Sequence, residues 1–159
     1  MSSFDEALNA VALKTGTELE KEISYLKFSG VGGSLSRDNI VNHEKLIFNI
    51  NKILSKDEAV LLITKILEKY IKNLHTEKRL YCYLKKHSFT YENVIIKLFI
   101  YTKEGEDVFH PNIENFTLQN GVLSYLTVNK SEKWYYQDES YIEEPYEDAA
   151  KRLGVWKKQ

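Results

Sequence analysis

Two short runs between residues 80 and 101 alternate apolar with polar or aromatic side chains at a period of two. The first run is Leu80 to Lys85, and the second is Val94 to Tyr101. Alternation of this kind, rich in β-branched and aromatic residues, is typical of β-strands. The sequence therefore predicts a β-hairpin with Tyr81 opposite Tyr101 and with the even-numbered residues facing the core. The odd-numbered residues then form a second face of tyrosine, phenylalanine and lysine, made of Tyr81, Tyr83, Lys85, Lys97, Phe99 and Tyr101.

The residues before the hairpin follow helical spacing for most of their length. Apolar residues and a Ser3–Glu6 capping box predict a helix from about residue 3 to Lys14, which Gly16 would end. A second capping box, Thr17 with Glu20, predicts another helix to about Phe28. The glycine-rich residues 29–34 match no phosphate-binding motif, so they are interpreted as a flexible linker. Residues 38–54 fit either a helix or a strand, and the helix is favoured.

The clearest helix is predicted from Ser55 to about His75. Ser55 and Glu58 form a third capping box, and apolar residues then recur every three or four positions up to Leu74. This apolar stripe is wide enough to cover one face of a sheet. We expect Ile63, Leu67, Tyr70 and Ile71 to pack on the even-numbered residues of the second hairpin strand.

Residues after the hairpin predict more strands and a short helix. Phe116 to Leu118 and Val122 to Val128 have strand patterns, joined by a tight turn at Asn120-Gly121, and Lys133 to Gln137 would form a return strand. Pro145 is suited to the first turn of a helix that Gly154 closes. The predicted fold is α+β, with N-terminal helices on one face of a four- or five-stranded, mainly antiparallel sheet. One domain is expected over residues 1–159, with a helical part (1–75), a sheet part (79–138) and a terminal helix (145–153).

Composition describes an ordinary globular chain. The 159 residues carry a net charge of −1 and a single cysteine, Cys82, so no internal disulfide can form. The first residues lack the features of a signal peptide, and no apolar run is long enough to span a membrane. We therefore expect a soluble, cytoplasmic protein that makes no membrane contact.

Charge is segregated along the chain although the total is near zero. Residues 76–103 carry six bases and two acids, whereas residues 104–148 carry eleven acids and two lysines. Segregation of this kind concerns binding partners rather than the fold.

Candidate chemistry is sparse. The histidines, His43, His75, His87 and His110, do not stand at metal-ligand spacing, and Cys82 falls on the predicted core side of a strand. No metal, cofactor or catalytic residue is assigned. Lys86 and His87 could serve acid–base chemistry on a phosphodiester, but nothing in the sequence orients them.

Two surfaces are candidates for binding. The odd-numbered face of the predicted hairpin interleaves aromatic rings with lysines, as some single-strand nucleic-acid-binding sheets do. The second candidate is the segment from Trp134 to Asp148, which contains six acids and five aromatic residues and no base. Acids would steer a basic partner and the rings would anchor it. The partner-binding residues predicted there are Trp134, Tyr136, Asp138, Glu139, Tyr141, Glu143 and Glu144.

The function expected from this layout is binding rather than catalysis. The leading hypothesis is a small non-enzymatic inhibitor of the immunity-protein type, which neutralises a basic protein such as a nuclease toxin. Its alternatives are a single-stranded nucleic-acid-binding module that uses the Tyr/Lys face and, with less support, a phosphodiester-cleaving enzyme.

Overall fold

The computed structural model describes residues 3–35, 41–130 and 137–158. Four α-helices and six β-strands follow one another along the chain, with two short 3₁₀ turns at Lys78–Leu80 and Tyr91–Asn93. The elements in order are α1 (Ser3–Glu22), β1 (Leu26–Leu35), β2 (Val41–Ile50), α2 (Lys56–Thr76), α3 (Tyr81–Lys86), β3 (Val94–Ile100), β4 (Asn115–Gln119), β5 (Val122–Asn129), β6 (Gln137–Pro145) and α4 (Tyr146–Arg152).

The six strands form one sheet in sequence order, β1-β2-β3-β4-β5-β6. Every neighbouring pair is antiparallel except β2 and β3, which are parallel because α2 carries the chain back between them. The α+β class with a mainly antiparallel sheet is confirmed, while the predicted four or five strands fall short of the six found.

All the long helices cover one face of the sheet. The core cluster joins residues of α1, α2 and α4 to alternate residues of the strands. In β3 these are Val94, Ile96, Leu98 and Ile100, each at most 1% exposed, so the predicted core side of that strand is correct. Ile63, Leu67 and Tyr70 of α2 belong to the same cluster, and Ile71 is half-buried.

The prediction for α2 is confirmed in detail. Its N-cap, Ser55, accepts a hydrogen bond from the Glu58 backbone N–H at 3.1 Å, and the Ser55 N–H donates to Glu58 Oε1 at 3.2 Å. This reciprocal pair satisfies two backbone groups at the helix start and fixes the first turn.

The N-terminal quarter differs from the sequence prediction. One helix, α1, runs through Gly16 to Glu22 and includes the start of the predicted second helix, while β1 replaces the end of that helix and the glycine-rich linker. Gly16 lies inside the helix and does not end it. A Cβ atom at this position would overlap the ring of Phe28. The glycine therefore makes room for the ring of a neighbouring strand.

Residues 41–50 form β2 and not the favoured helix. The alternation of Glu44, Leu46, Phe48 and Ile50 places all four side chains on the buried face. The local pattern of this segment fits a helix or a strand, and its pairing with β1 on one side and β3 on the other favours the strand. The first two strands of the sheet, β1 and β2, therefore lie within the part of the chain predicted to be helical.

The predicted hairpin over residues 80–101 is also wrong in its first half. Residues 81–86 form α3, so no strand pairs Tyr81 with Tyr101. The same segment also has helical spacing, at Leu80, Tyr83, Leu84 and His87. The first three of these residues pack on the core. Cys82 consequently lies on the exposed side of α3 and not in the core.

The C-terminal elements follow the prediction closely. Asn120 and Gly121 both have positive φ, 50° and 75°, as a tight hairpin turn between β4 and β5 requires. Pro145 is the N-cap of α4, and Gly154, with φ 71°, follows its end. The predicted return strand at residues 133–137 lies outside the described residues except for Gln137, where β6 begins.

No helix in the described ranges is both long enough and apolar enough to cross a membrane.

Candidate binding surface on the open face of the sheet

The face of the sheet opposite the helices is open. Its side chains lie in rows because neighbouring strands pair residue by residue across the sheet. One row runs from Lys97 on β3 through Thr117 on β4 and Ser124 on β5 to Glu143 on β6. A parallel row runs through Phe99, Asn115, Leu126 and Tyr141. Ile95 and Val128 are buried but stand outside the core cluster, in keeping with their place on this second face.

A depression of about 420 Å³ lies over these rows. Its floor is low because Thr117 and Ser124 are short and sit between the longer side chains of Lys97 and Glu143. Thr117 Oγ1 donates a hydrogen bond to Asn115 Oδ1 at 2.7 Å, which fixes the amide at one wall. The remaining lining residues are Gln119, Asn120, Val122, Leu126 and Tyr141.

Opposite charges stand at the two ends of this depression. Lys97 and Glu143 are separated by three inter-strand steps, about 14 Å between Cα atoms. Neither side chain forms an ion pair with another residue that the structure describes. The depression is therefore dipolar along the row and has no net charge from these two groups.

Strand β6 borders the depression and is the last strand of the sheet. Its outer edge pairs with no other described strand, so backbone groups there are available to a ligand. Tyr141 is 61% exposed and Ile142 is 47% exposed, on opposite faces of the strand. Large apolar side chains this open on an edge strand are suited to contact with a partner.

The acids of β6 have different surroundings. Asp138 and Glu143 are exposed, and Glu139 accepts a hydrogen bond from Asn129. Glu144 is half-buried and accepts hydrogen bonds from the Arg152 guanidinium, whose two nitrogen atoms lie 3.0 and 3.1 Å from its oxygens. The Tyr125 hydroxyl also donates to Glu144. These contacts, Arg152 first among them, lower the pKa of Glu144, and they leave Asp138, Glu139 and Glu143 as the outward acids.

The predicted partner-binding residues thus fall into two groups. Five of them, Asp138, Glu139, Tyr141, Glu143 and Glu144, are brought together on β6. Trp134 and Tyr136 lie outside the described residues.

The predicted Tyr/Lys face is divided between two places. Lys97 and Phe99 lie on the open face of β3, and Tyr101 follows the strand, forming a bridge with Asp107. Tyr81, Tyr83 and Lys85 lie on α3 instead, where the Tyr83 ring packs against Phe4 at 4.9 Å between centroids. The six residues therefore do not form one continuous stacking surface.

A buried carboxyl group lies at the opposite, helix-covered face. Glu44 of β2 is only 3% exposed, and its Oε1 atom has no hydrogen-bond partner among the described residues. Burial, reinforced by the nearby charge of Asp5, raises the pKa of Glu44 to about 7. Tyr70 of α2 is fully buried, and its hydroxyl also lacks a partner in the described part of the chain.

Catalytic groupings are not evident at either place. The described residues contain no cluster of three or more histidine, cysteine, aspartate or glutamate side chains that could hold a metal ion. His87, a candidate acid–base group, stacks on the Tyr83 ring at 4.8 Å between centroids. His110 Nδ1 lies 3.1 Å from Thr127 Oγ1.

Comparison with protein-family models, with curated proteins and with solved structures finds no match to this chain.

Sequence reasoning missed Ile142, the row from Lys97 to Glu143, and the Glu44–Tyr70 pair. Only the Glu44–Tyr70 pair could have been found from a local pattern. Glu44 is a charged residue in alternation with the apolar residues of a possible strand, which indicates a buried carboxyl group. The row depends on the pairing of four strands, and no pattern within one strand reveals it.

Proposed function

We propose that this protein is a non-enzymatic inhibitor of the immunity type that binds a basic protein, such as a nuclease toxin, through β6. The observation that carries the proposal is the exposure of Tyr141 and Ile142 on an unpaired edge strand, beside the outward acids Asp138, Glu139 and Glu143.

Electrostatics favour a basic partner over a second copy of the chain. The nine residues of β6 carry four acids and no base, so two such strands brought edge to edge would repel each other. A strand or loop rich in lysine and arginine would relieve that repulsion. Its attraction would raise the association rate, and salt would reduce the gain.

The exposed rings and aliphatic groups would supply most of the affinity. Charged residues at an interface rim contribute mainly to rate and selectivity, whereas a few buried aromatic or aliphatic anchors account for most of the binding energy. Tyr141 lies on the open face of β6 and Ile142 on the other face, so a partner at this edge would contact both side chains.

Site-specific photo-crosslinking tests the proposal. A photoreactive phenylalanine analogue is placed at Tyr141, and a matched control carries it at Tyr81, an aromatic residue of α3 that is 46% exposed. In extracts of the native host, position 141 should capture a basic protein that position 81 does not. Equal capture at both positions, or capture of acidic proteins only, would contradict the proposal.

Kinetics with the captured protein provide the second arm. Asp138→Lys with Glu143→Lys should slow association, and the difference should shrink as salt rises. Glu104→Lys with Glu106→Lys makes the same change of net charge at two exposed acids in the connection after β3. If both pairs slow association equally, general charge is responsible and β6 is not the binding site.

Single-stranded nucleic acid is the alternative ligand, with less support. Of the six residues of the Tyr/Lys face, Lys97 and Phe99 lie on β3 and Tyr101 directly follows it, and the row that contains Lys97 leads to the acid Glu143. Oligonucleotide binding at low salt that Phe99→Ala weakens would favour this alternative.

A further inference from the structure

We propose that the depression on the open face binds a short zwitterionic peptide, with the peptide carboxylate at Lys97 and its ammonium group at Glu143. The inference goes beyond the proposed inhibitor function and does not depend on it.

The charges at the two ends identify the ligand class. Lys97 and Glu143 line the depression from β3 and β6, the outermost of the strands that border it, and have no ion-pair partner within the described ranges. A polyanion such as nucleic acid would meet Glu143, and a polycation would meet Lys97. A ligand with one charge of each sign satisfies both ends at once.

The span between the ends sets the ligand size. The two Cα atoms are about 14 Å apart, and side chains that stand perpendicular to the sheet keep their charged groups at about that separation. An extended peptide advances about 3.3–3.6 Å per residue, so three residues place their terminal groups about 10 Å apart. A tripeptide therefore fits between the two side chains, and a volume of about 420 Å³ leaves room for it.

The groups between the two ends are those that a peptide backbone needs. Ser124 offers a hydroxyl group on the floor and Gln119 an amide at the wall. Thr117 already donates to Asn115 Oδ1, so Thr117 offers an acceptor oxygen and Asn115 offers its NH₂ group. Hydroxyl and amide groups can both donate and accept hydrogen bonds, as the peptide N–H and C=O groups require. The exposed ring of Tyr141 provides an apolar side against which a side chain or the backbone can rest.

Triglycine is the probe, and nuclear magnetic resonance titration of the whole chain is the measurement. Unmodified triglycine should shift backbone resonances of β4, β5 and β6 around the depression. N-acetyl-triglycine lacks the ammonium group and triglycine amide lacks the carboxylate, so each should bind about two- to fivefold more weakly. Equal binding of all three peptides, or no shifts in these strands, would overturn the proposal.

Neutral variants assign each end. Lys97→Gln should lose the preference for a free carboxylate, and Glu143→Gln should lose the preference for a free ammonium group. The swap of Lys97→Glu with Glu143→Lys should keep triglycine binding because the dipole is only reversed. If that swap abolishes binding while its spectrum stays folded, the charges do not hold the peptide termini.

Asp138→Lys separates this site from the proposed inhibitor surface, since Asp138 lies on β6 outside the depression. This variant should leave triglycine binding unchanged. If the peptide binds as expected but no basic protein is captured at Tyr141, the inhibitor proposal alone fails.

Discussion

The charge of Glu44 on β2 acts on the hydroxyl group of Tyr70 on α2 in the protein interior. Burial raises the pKa of Tyr70 well above its ordinary value, and the Glu44 charge adds to the shift. Neither Glu44 Oε1 nor the Tyr70 hydroxyl has a hydrogen-bond partner in the described structure. The contact region of β2 and α2 therefore contains two buried polar groups without hydrogen bonds in the described structure, which lowers the stability of the fold.

The first prediction concerns the pH dependence of stability. The pKa of Glu44 is raised from 4.5 to about 7 on folding, so the folded protein holds a proton that the unfolded chain releases. Stability from this group is complete below about pH 4.5 and falls as pH rises to about 7, by about 3 kcal/mol in total. Glu44→Gln should remove this loss, so the variant should be more stable than the wild type at pH 8 and similar at pH 4.5.

Urea unfolding across that pH range measures the difference between the two proteins. Glu104→Gln, at an exposed position after β3, is the control and should follow the wild-type curve. A Glu44→Gln curve parallel to that of the wild type between pH 4.5 and 8 would mean that Glu44 is ionised in the folded protein.

The second prediction concerns the other member of the pair. Tyr70→Phe removes a buried hydroxyl that has no partner and leaves the ring, which packs near Phe89 at 6.1 Å between centroids. The free energy of unfolding should stay the same or rise by up to about 1 kcal/mol. Tyr146→Phe is the matched control, because the Tyr146 hydroxyl lies 2.8 Å from Thr64 Oγ1 and its loss should cost about 1 kcal/mol. The same loss in both variants would show that the Tyr70 hydroxyl has a partner in solution.

The third prediction concerns the contact between α2 and β3. Leu67→Ala and Ile96→Ala each leave a cavity in a fully buried region and should each cost about 2–5 kcal/mol of unfolding free energy. Chemical denaturation measures both, and Leu61→Ala, at a position of α2 that is 45% exposed, should cost much less. Losses below about 0.5 kcal/mol at both buried positions would place the core elsewhere.

The fourth prediction concerns Gly16 in the middle of α1. Alanine normally stabilises a helix interior by about 1 kcal/mol over glycine. Here the added Cβ would overlap the Phe28 ring, which also packs against Phe48 at 5.3 Å between centroids. Gly16→Ala should therefore destabilise by about 1–3 kcal/mol in thermal or urea unfolding. In a protein that already carries Phe28→Ala, the overlap is absent, so Gly16→Ala should be less destabilising there or even stabilising. If Gly16→Ala alone stabilises the protein, the Phe28 ring moves aside.

The fifth prediction concerns the proposed partner. Truncation of an anchor on β6, by Tyr141→Ala or Ile142→Ala, should cost at least about 2 kcal/mol of affinity for the protein captured at Tyr141, mainly through faster dissociation. Val122→Ala, at an exposed apolar position on the neighbouring strand, serves as the comparison in surface plasmon resonance. A smaller loss for both anchors than for Val122→Ala would move the interface away from β6.

Local sequence patterns predict the structure correctly where the determining contacts lie within a few residues of one another. The capping box at Ser55, the turn at Asn120-Gly121 and the closing Gly154 each satisfy a backbone requirement within a few residues, and all three appear as predicted. They failed where distant contacts decide. The sequence predicts a helix end at Gly16, but the Phe28 ring that occupies the space beside Gly16 belongs to another element, and no local pattern indicates it.

The candidate binding surface shows the same division. The four acids and the single ring of residues 138–144 are evident from the sequence, and they share one strand. That Glu144 is held by Arg152 while Glu143 points outward could not be read, since Arg152 belongs to α4. The alternation of Leu80 to Lys85 was equally compatible with a helix, and the packing of Tyr83 on Phe4 of α1 settles it.

The parallel pairing of β2 with β3 has a consequence for how fast the chain folds. Ile50 pairs with Ile100, so this contact closes a loop of about 50 residues, whereas β1–β2, β4–β5 and β5–β6 join neighbouring segments. Long loops lose more entropy on closure, and the gain comes only after α2 has packed. The pairs of neighbouring strands on either side should therefore form early, and the β2–β3 pairing should form late and limit the folding rate. Mutations at the β2–β3 pairing should slow refolding, while mutations in β6 should mainly speed unfolding.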